Sequence, residues 1–584
     1  MNSGVVEPNS FVALRLPSDS HAITEVKPNT TIYIGKYGSF KANDIIGRPY
    51  HLTFEVLDKS EQGTPSRSGL RIVPPEELYE EIREDGSMTP TGSEDAVAVG
   101  TPDGVQYDVV GEDGKVVMRT NQKIIDDSSS QVMTMDEIEA LKQSSKGSGK
   151  ELVAKILESH SALDQKTAYA LAKYTLRKTR KYVKRFTVLP VDVAVLAKWI
   201  LNEKDAGRIM EMREEILALI ASWSNIHYTP SDPIMPTDEQ LPRIGGGRWL
   251  VVDETAGLLT AYLAERMGLL YPSASEHTVC ARQQSDPEND GGVQEETVLD
   301  VPEPEQSASV PEPQIRSENP PKPRSRRGPT MSHNNTLTVI HALAQPNLST
   351  LRYFSFDPFN PDPAHPLTAH LKTLSWLQLL DPKGDPACEE PPLFSPDEVA
   401  TWKAGRRSSY LRKRRRWEHL KSVMDETHAG GFDGLIVASV MDPASILHHL
   451  VPLLRGAGQV VVYSPHLEPL AELADLYSTP RKTAYIADPV SIPSEDFPVD
   501  PRLLLAPTIH TARAKGWQVL PGRTHPLMTG RGGADGYLFT ATRVLPAEGR
   551  IEARGKALKK RRKASEEVVV ADDKSHFVEE GGDD

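Results

Sequence analysis

Gly245-Gly246-Gly247-Arg248-Trp249-Leu250-Val251-Val252-Asp253-Glu254-Thr255-Ala256-Gly257-Leu258-Leu259 is the stretch on which the fold turns. An apolar strand over 248–252 ends in acids, a short turn follows, and a helix over 258–267 begins. Nucleotide-type cofactors bind at such junctions because small turn residues let the backbone approach the ligand closely. A working S-adenosylmethionine loop uses several glycines after the acidic strand end. Here Gly257 alone remains, while Thr255, Leu258 and Leu259 bring side chains into the space a ligand would need. Gly245 to Gly247 precede the strand, on the wrong side to form that loop. An ordinary strand-turn-helix and the relic of a cofactor site both fit this segment. Either reading predicts weak or absent cofactor binding.

Outward from this stretch, strand-like runs recur at Leu337–Ile340, Tyr353–Phe356, Leu435–Ala438, Val460–Tyr463, Leu503–Leu505 and Tyr537–Thr540. Helical stretches lie between several of them, which predicts a doubly wound sheet over 241–545. A Ser-, Pro-, Glu- and Gln-rich insertion interrupts it near 272–335, and a charged tail over 546–584 reads as disordered. Toward the N-terminus, Phe11–Leu14, Thr31–Ile34 and His51–Val56 are short β-rich runs separated by Gly35, Gly38 and Gly47-Arg48-Pro49. With Gln106–Val110 and Lys115–Thr120 they predict a small β-barrel over 8–133, carrying an acidic insertion near 81–103. Between the two, 134–240 reads as a helical linker region. Its apolar stripes include Ile138 with Leu141, Leu152 to Leu157, Val195 to Ile200, and Ile209 to Ile220.

Bulk composition narrows the function classes. A hydrophobic share of 38% beside 47 prolines suggests folded domains interrupted by disordered segments. The net charge of −14 argues against nucleic acid as a partner, although it is a whole-chain sum and the distribution of charge matters more for binding. Cys280 and Cys388 stand far apart, which disfavours a disulfide framework or a cysteine-based zinc site and fits a reducing compartment. No secretory signal or run of about 18 apolar residues is present, so a soluble, intracellular protein is expected.

The second landmark is Phe432-Asp433-Gly434-Leu435-Ile436-Val437-Ala438-Ser439-Val440-Met441-Asp442-Pro443. In enzymes that methylate base nitrogens, the end of this strand commonly supplies an acidic or polar group that takes the proton. Here no carboxylate follows until Asp442. Asp442 before Pro443 is also a normal helix start, and capping is favoured over catalysis. His448-His449 point apart and lack a metal-ligand partner at suitable spacing. No catalytic, cofactor-binding or metal-ligating residue is therefore assigned.

Cations are concentrated in two places. Arg177, Lys178, Arg180, Lys181, Lys184 and Arg185 form one cluster, interleaved with Tyr174 and Tyr182. Arg177, Lys181, Lys184 and Arg185 are expected to share a helical face. Lys and Arg bind phosphates by charge, and tyrosines offer stacking surfaces; a plain solvated helix is the alternative. Arg412, Lys413, Arg414, Arg415 and Arg416 form the other, with Arg406-Arg407, Trp402, Tyr410 and Trp417 nearby. RNA contact and nuclear import, or a solvated helix, compete there. Lys559-Lys560-Arg561-Arg562-Lys563 favours nuclear import, and Arg324-Ser325-Arg326-Arg327 is a weaker form of that signal.

Several segments taken in order resemble a known family. They are Ile34-Gly35-Lys36-Tyr37-Gly38-Ser39-Phe40, Ile45-Ile46-Gly47-Arg48-Pro49, Asn121 to Asp127, Gln131-Val132-Met133-Thr134, Lys173-Tyr174 to Arg185-Phe186, the loop above, Phe432 to Ser439, and Val462-Tyr463-Ser464-Pro465-His466. Together they span about 11–545 and resemble the non-catalytic subunits of tRNA (adenine-N1)-methyltransferases that modify the T-loop adenine, in their fungal form. The resemblance implies an α+β multidomain chain: a small N-terminal β-barrel, a helical linker, and a C-terminal Rossmann-like methyltransferase fold with a degenerate cofactor loop. It also implies no cofactor on this chain, S-adenosylmethionine on a paralogous catalytic subunit, tRNA as a ligand, and a nuclear heterotetramer with two copies of each subunit. The insertion at 272–335 and the long stretch before Asp433 depart from the family's compact pattern. An active S-adenosylmethionine-dependent RNA methyltransferase and a translation-factor-like RNA-binding scaffold are the alternatives.

Overall fold

A computed structural model describes residues 4–57, 69–78, 109–110, 116–118, 132–144, 149–160, 168–228, 247–271, 334–514, 516–520, 523–527 and 534–546. The acidic insertion near 81–103, almost all of 272–335, Asn121 to Asp127, Cys280 and both expected import signals lie outside the described residues.

The N-terminal strands are β1 (Phe11–Arg15), β2 (His21–Glu25), β3 (Thr31–Tyr33), β4 (Ser39–Lys41), β5 (Thr53–Val56) and β6 (Leu70–Ile72). A short pair follows, β7 (Val109–Val110) with β8 (Val116–Met118), and then β9 (Arg185–Pro190). The main sheet has the order β2-β1-β9-β5-β6 and is antiparallel throughout. Its central strand β9 comes from the middle of the expected helical region: Leu14 faces Val188, and Phe54 faces Phe186. Phe186 stacks on Phe40 and Phe54 with ring centroids 4.7 and 5.6 Å apart, which fixes the middle of this core. No pairing joins edge strands β2 and β6 among the described residues.

Among the described residues, three helices lie between β8 and β9: α1 (Met135–Ser144), α2 (Lys150–Glu158) and α3 (Ala168–Tyr182). Helix α1 starts where the sequence signals it. Thr134 Oγ1 accepts from Glu137 N at 3.3 Å, and the Glu137 carboxylate accepts from Thr134 N at 2.9 Å, satisfying two end groups reciprocally. After β9 come α4 (Val193–Glu203) and α5 (Glu214–Trp223). Asp192 caps α4 by accepting from Val195 N at 2.6 Å. Val193, Leu196, Ala197, Ile200 and Leu201 follow helical spacing and are all buried. With Ile216, Leu217 and Ile220 of α5 they join the core of the C-terminal sheet. This half of the helical region is a layer of the C-terminal domain, tied there by Trp249 Nε1 donating to Ser224 O (3.1 Å) and Tyr463 OH to Met210 O (2.8 Å). Burial pushes the Tyr463 phenol up, so it remains a donor.

The C-terminal sheet contains β10 (Arg248–Asp253), β11 (Thr336–His341), β12 (Leu371–Ser375), β13 (Phe432–Ala438), β14 (Leu454–Ser464), β15 (Leu504–His510) and β18 (Tyr537–Arg543). A separate hairpin, β16 (Trp517–Leu520) with β17 (Arg523–Pro526), intervenes before β18. The order is β12-β11-β10-β13-β14-β18-β15, parallel except for β18, which is antiparallel to both neighbours. This is a Rossmann-like doubly wound sheet. The strand order reverses at β10, so the crevice where such folds bind ligands lies beyond the ends of β10 and β13.

Alternate residues divide between two cores, as pleating requires. Trp249, Val251, Ile436 and Ala438 face α4, α5 and α6 (Leu258–Arg266). Leu250, Val252, Leu435 and Val437 face the other side, which carries α7 (Ala404–His428), α8 (Pro443–Leu450) and α9 (Glu468–Leu476). Gly434 lies opposite Trp249, and a Cβ there would come within 2.9 Å of the indole, so the glycine makes room for the largest core side chain. The expected strand at Tyr353–Phe356 is instead a 3-10 helix, Ser349–Phe354, ended by Ser355 in the left-handed region. Leu351 and Phe354 of this helix, and Phe356 just after it, are apolar because they pack under the sheet and not because they pair in it. Among the described residues, no helix is long and apolar enough to cross a membrane.

Candidate functional site

The junction after β10 closes on itself. Asp253 is buried, and its Oδ1 accepts from Thr255 N (2.8 Å) and Thr255 Oγ1 (2.6 Å). Its Oδ2 accepts from Thr260 N (2.9 Å) and Thr260 Oγ1 (2.6 Å). Thr255 Oγ1 in turn accepts from Leu259 N at 3.0 Å. The helix N-terminus, which in a working cradle presents N–H groups to an anionic ligand, here gives them to the chain's own side chains.

A second segment covers the turn. Thr350 donates to Ala256 O through both its N (3.0 Å) and its Oγ1 (2.9 Å). Arg208 reaches Ser349 Oγ at 2.6 Å and pins the same segment. Gly257 is in the left-handed region at φ 87°, and a Cβ on it would meet Leu348 Cα at 2.8 Å. The last glycine of the loop therefore serves close backbone packing, not ligand approach. Thr255, Ala256 and Leu258 each have 0% exposure, so this cradle does not fit S-adenosylmethionine. Leu258 and Leu259 do not themselves fill the ligand space, as the sequence suggested, but point into the core with Leu348 and Leu351. The space is taken by the covering segment.

At the end of β13 the chain is equally occupied. Asp442 caps α8, accepting from Ala444 N (3.3 Å) and Ser445 N (2.9 Å), so the capping role holds. A carboxylate does reach this strand end, and sequence reading missed it. Glu254, the residue just after the neighbouring strand β10, accepts from Ser439 Oγ (2.9 Å) and Val440 N (2.8 Å). The parallel pairing of β10 with β13, which sets Asp253 opposite Ala438, brings it there, and no local signal in the sequence names that pairing. No cluster of His, Cys, Asp or Glu suited to a metal ion occurs among the described residues.

The two cationic clusters fare differently. Helix α3 ends at Tyr182, so the expected single face of Arg177, Lys181, Lys184 and Arg185 does not form. Arg177 and Lys181 are exposed one turn apart, while Lys184 lies beyond the helix. Arg180 pairs with Asp19, and Lys178 sits over the Tyr174 ring at 4.9 Å. Arg185 is buried in β9, paired with Glu77 at 2.6 Å and lying 4.0 Å from Glu55. It is a structural cation and not a phosphate ligand.

On α7, Arg414 is likewise occupied: it pairs with Glu418 (3.0 Å) and Glu390 (3.3 Å) and lies against the Trp417 ring. Arg412, Lys413, Arg415 and Arg416 are exposed and have no carboxylate within ion-pair distance among the described residues. At 100° per residue, Arg412, Arg415 and Arg416 stand on one solvent face. Trp417, turned away from them, is buried against the domain, and further along the helix Val423 and Thr427 are buried where its C-terminal half meets the sheet. This is a cationic ridge suited to a phosphate backbone.

The chain is 48% identical to the tRNA (adenine(58)-N(1))-methyltransferase non-catalytic subunit trm6 of Aspergillus fumigatus, over 96% of each chain. The protein of the same name from Aspergillus oryzae is 44% identical, over 99% of this chain and 98% of its own. That of Schizosaccharomyces pombe is 26% identical, over 94% and 95%. The Gcd10p family profile matches residues 5–403. By that match and by these full-length relatives, the chain belongs to the Gcd10p family.

Proposed function

We propose that this chain is the non-catalytic, tRNA-binding subunit of a nuclear tRNA (adenine-N1)-methyltransferase that forms N1-methyladenosine in the T-loop. It pairs with a catalytic paralogue that holds S-adenosylmethionine, as a heterotetramer with two copies of each. Closure of the N-terminal sheet into a small barrel belongs to the same reading. The observation that carries the proposal is the Asp253 carboxylate, folded onto Thr255 and Thr260 where a cofactor would have to enter. The names of the full-length relatives support it.

Co-purification with the paralogue and calorimetry test it. The chain alone is expected to give no binding heat with S-adenosylmethionine, while the complex binds the cofactor and methylates a tRNA transcript. Micromolar cofactor binding by the isolated chain, or methylation by the paralogue alone at the full rate, would reject the proposal.

The RNA surface is tested separately. Reversing Arg412, Arg415 and Arg416 to Glu is expected to weaken tRNA binding roughly 10- to 100-fold near physiological salt and to flatten the log–log salt slope by about 2–3. Subunit assembly, read by size-exclusion chromatography, stays intact. An unchanged slope would remove α7 from the RNA surface, leaving the Arg177 and Lys181 pair as the remaining candidate.

A further inference from the structure

Helix α7 is anchored at one end. Arg248 and Lys372 both pair with Glu426, Trp417 Nε1 donates to Cys388 O at 3.1 Å, and Val423 lies in the sheet's core. Ahead of Trp417 the helix stands in solvent: residues 403–416 are exposed except for Tyr410 and Arg414. Tyr410 rests on Phe394 and Trp402, with ring centroids at 5.5 and 5.3 Å. The N-cap, Lys403, supplies no side-chain oxygen to the first turn. With few buried contacts and an uncapped start, the first turns unwind at low cost.

Within these turns lies Arg406-Arg407-Ser408-Ser409. The arginines precede Ser409 by three and two residues, both are exposed, and Arg406 stacks over the Trp402 ring at 4.1 Å. When the turn is extended, two guanidinium groups at this spacing suit an acidic substrate groove, through charge-assisted bidentate pairing. Ser408 and Ser409 are exposed, and neither hydroxyl has a hydrogen-bond partner among the described residues. Neither residue belongs to the segment matched by the family profile, which ends at 403.

We propose that Ser409 is a phosphorylation site for an arginine-directed serine kinase, and that its phosphate weakens RNA binding by capturing Arg412 and Lys413. Ser409 Oγ attacks the γ-phosphorus of ATP, the bond from that phosphorus to the β–γ bridging oxygen breaks, and ADP leaves. The hydroxyl proton passes to the kinase's catalytic carboxylate. Once the helix re-forms, Arg412 and Lys413 stand three and four residues on, within side-chain reach of the phosphate. A group carrying about −1.5 to −2 charges then offsets Arg412 of the ridge and its neighbour Lys413. The kinase half stands on local sequence and exposure alone; the regulatory half rests on the proposed RNA reading of this helix.

The full chain, incubated with magnesium-ATP and the catalytic fragment of an arginine-directed kinase, tests both halves. Mass spectrometry is expected to find about one phosphate per chain, on Ser409. Ser409→Ala should lose it, Ser408→Ala should keep it, and the Arg406→Ala/Arg407→Ala variant should be labelled at least roughly tenfold more slowly. Label confined to Ser565, which follows Arg562-Lys563-Ala564, would overturn the proposal, as would equal labelling of the arginine variant. Binding of an unmodified tRNA transcript is expected to weaken about 5- to 10-fold on phosphorylation, with a salt slope shallower by about 2. Kinase-treated Ser409→Ala should bind as untreated protein does. If the Arg412, Arg415 and Arg416 reversal abolishes binding and phosphorylation leaves it unchanged, the regulatory inference fails. If the reversal itself has no effect, the RNA reading of α7 fails, and the regulatory half falls with it.

Discussion

Asp253→Ala is expected to destabilise the C-terminal domain by about 3–5 kcal/mol. The carboxylate accepts from two backbone N–H groups and two hydroxyls, all buried. After truncation the hydroxyls can rotate toward other acceptors, but the N–H groups of Thr255 and Thr260 are fixed by the turn and by α6. Each buried donor left without a partner costs about 1–3 kcal/mol, and a small cavity adds to that. Asp253→Asn keeps one carbonyl oxygen and turns an amide toward donors, so about half the loss is expected. Denaturant unfolding followed by tryptophan fluorescence reads the effect, since Trp249 is fully buried on the same strand. A change below about 1 kcal/mol would mean that the carboxylate does not hold the turn. Recovery of S-adenosylmethionine binding in either variant would mean that its closure is what excludes the cofactor, since Leu348 still covers Gly257.

Arg185→Glu is expected to cost at least about 3–5 kcal/mol, far more than a change on an RNA-binding surface. The substitution leaves Glu77 without a partner that stands at 2.6 Å and adds a third carboxylate beside Glu55, whose side chain is 2% exposed. Lys181→Glu, on an exposed position nearby, should stay within about 0.5 kcal/mol. Equal stabilities for the two variants would show that the buried cluster carries no weight. The cluster also predicts an acid response. Hydrogen bonds from Arg71 first, then from Lys150 and Arg185, hold Glu77 down to about 2, against an ordinary value of 4.5. Because the folded value is the lower one, this stabilisation is complete above pH 4.5 and drains away as pH falls toward 2. Arg185→Glu should show a flatter dependence of stability on pH in that window.

Much of the site was legible from local pattern. The strand at 248–252 and the helix from Leu258 fall within a residue or two of β10 and α6. The capping by Asp442 and Thr134 follows from residue type and spacing, because a cap is a contact within a few residues. The parts that were not legible are non-local. Strand β9 finds its partners in β1 and β5, across a long intervening stretch, and nothing in Arg185–Pro190 names them. Arg185 therefore read as one more surface cation, when its place in the middle of a sheet buries it. Arg414 read as one of five equivalent charges, although helix rotation turns it toward Glu390 and Trp417.

The amino-acid order by itself determined that the turn after Asp253 lacks the glycines of a cofactor loop. It also determined the helix starts, the alternating strands of a doubly wound sheet, and the existence of two cationic clusters. Each of these is a matter of backbone freedom, side-chain volume and period along the chain. Only the tertiary structure decided what occupies the loop, through Leu348 and Thr350 brought over Gly257 from beyond the insertion. It alone brought Glu254 to the end of β13 and separated the cations that face water from those already paired. The physical reason is that burial and ion pairing depend on which distant segments share a surface, and chain folding sets that only when the sheet assembles.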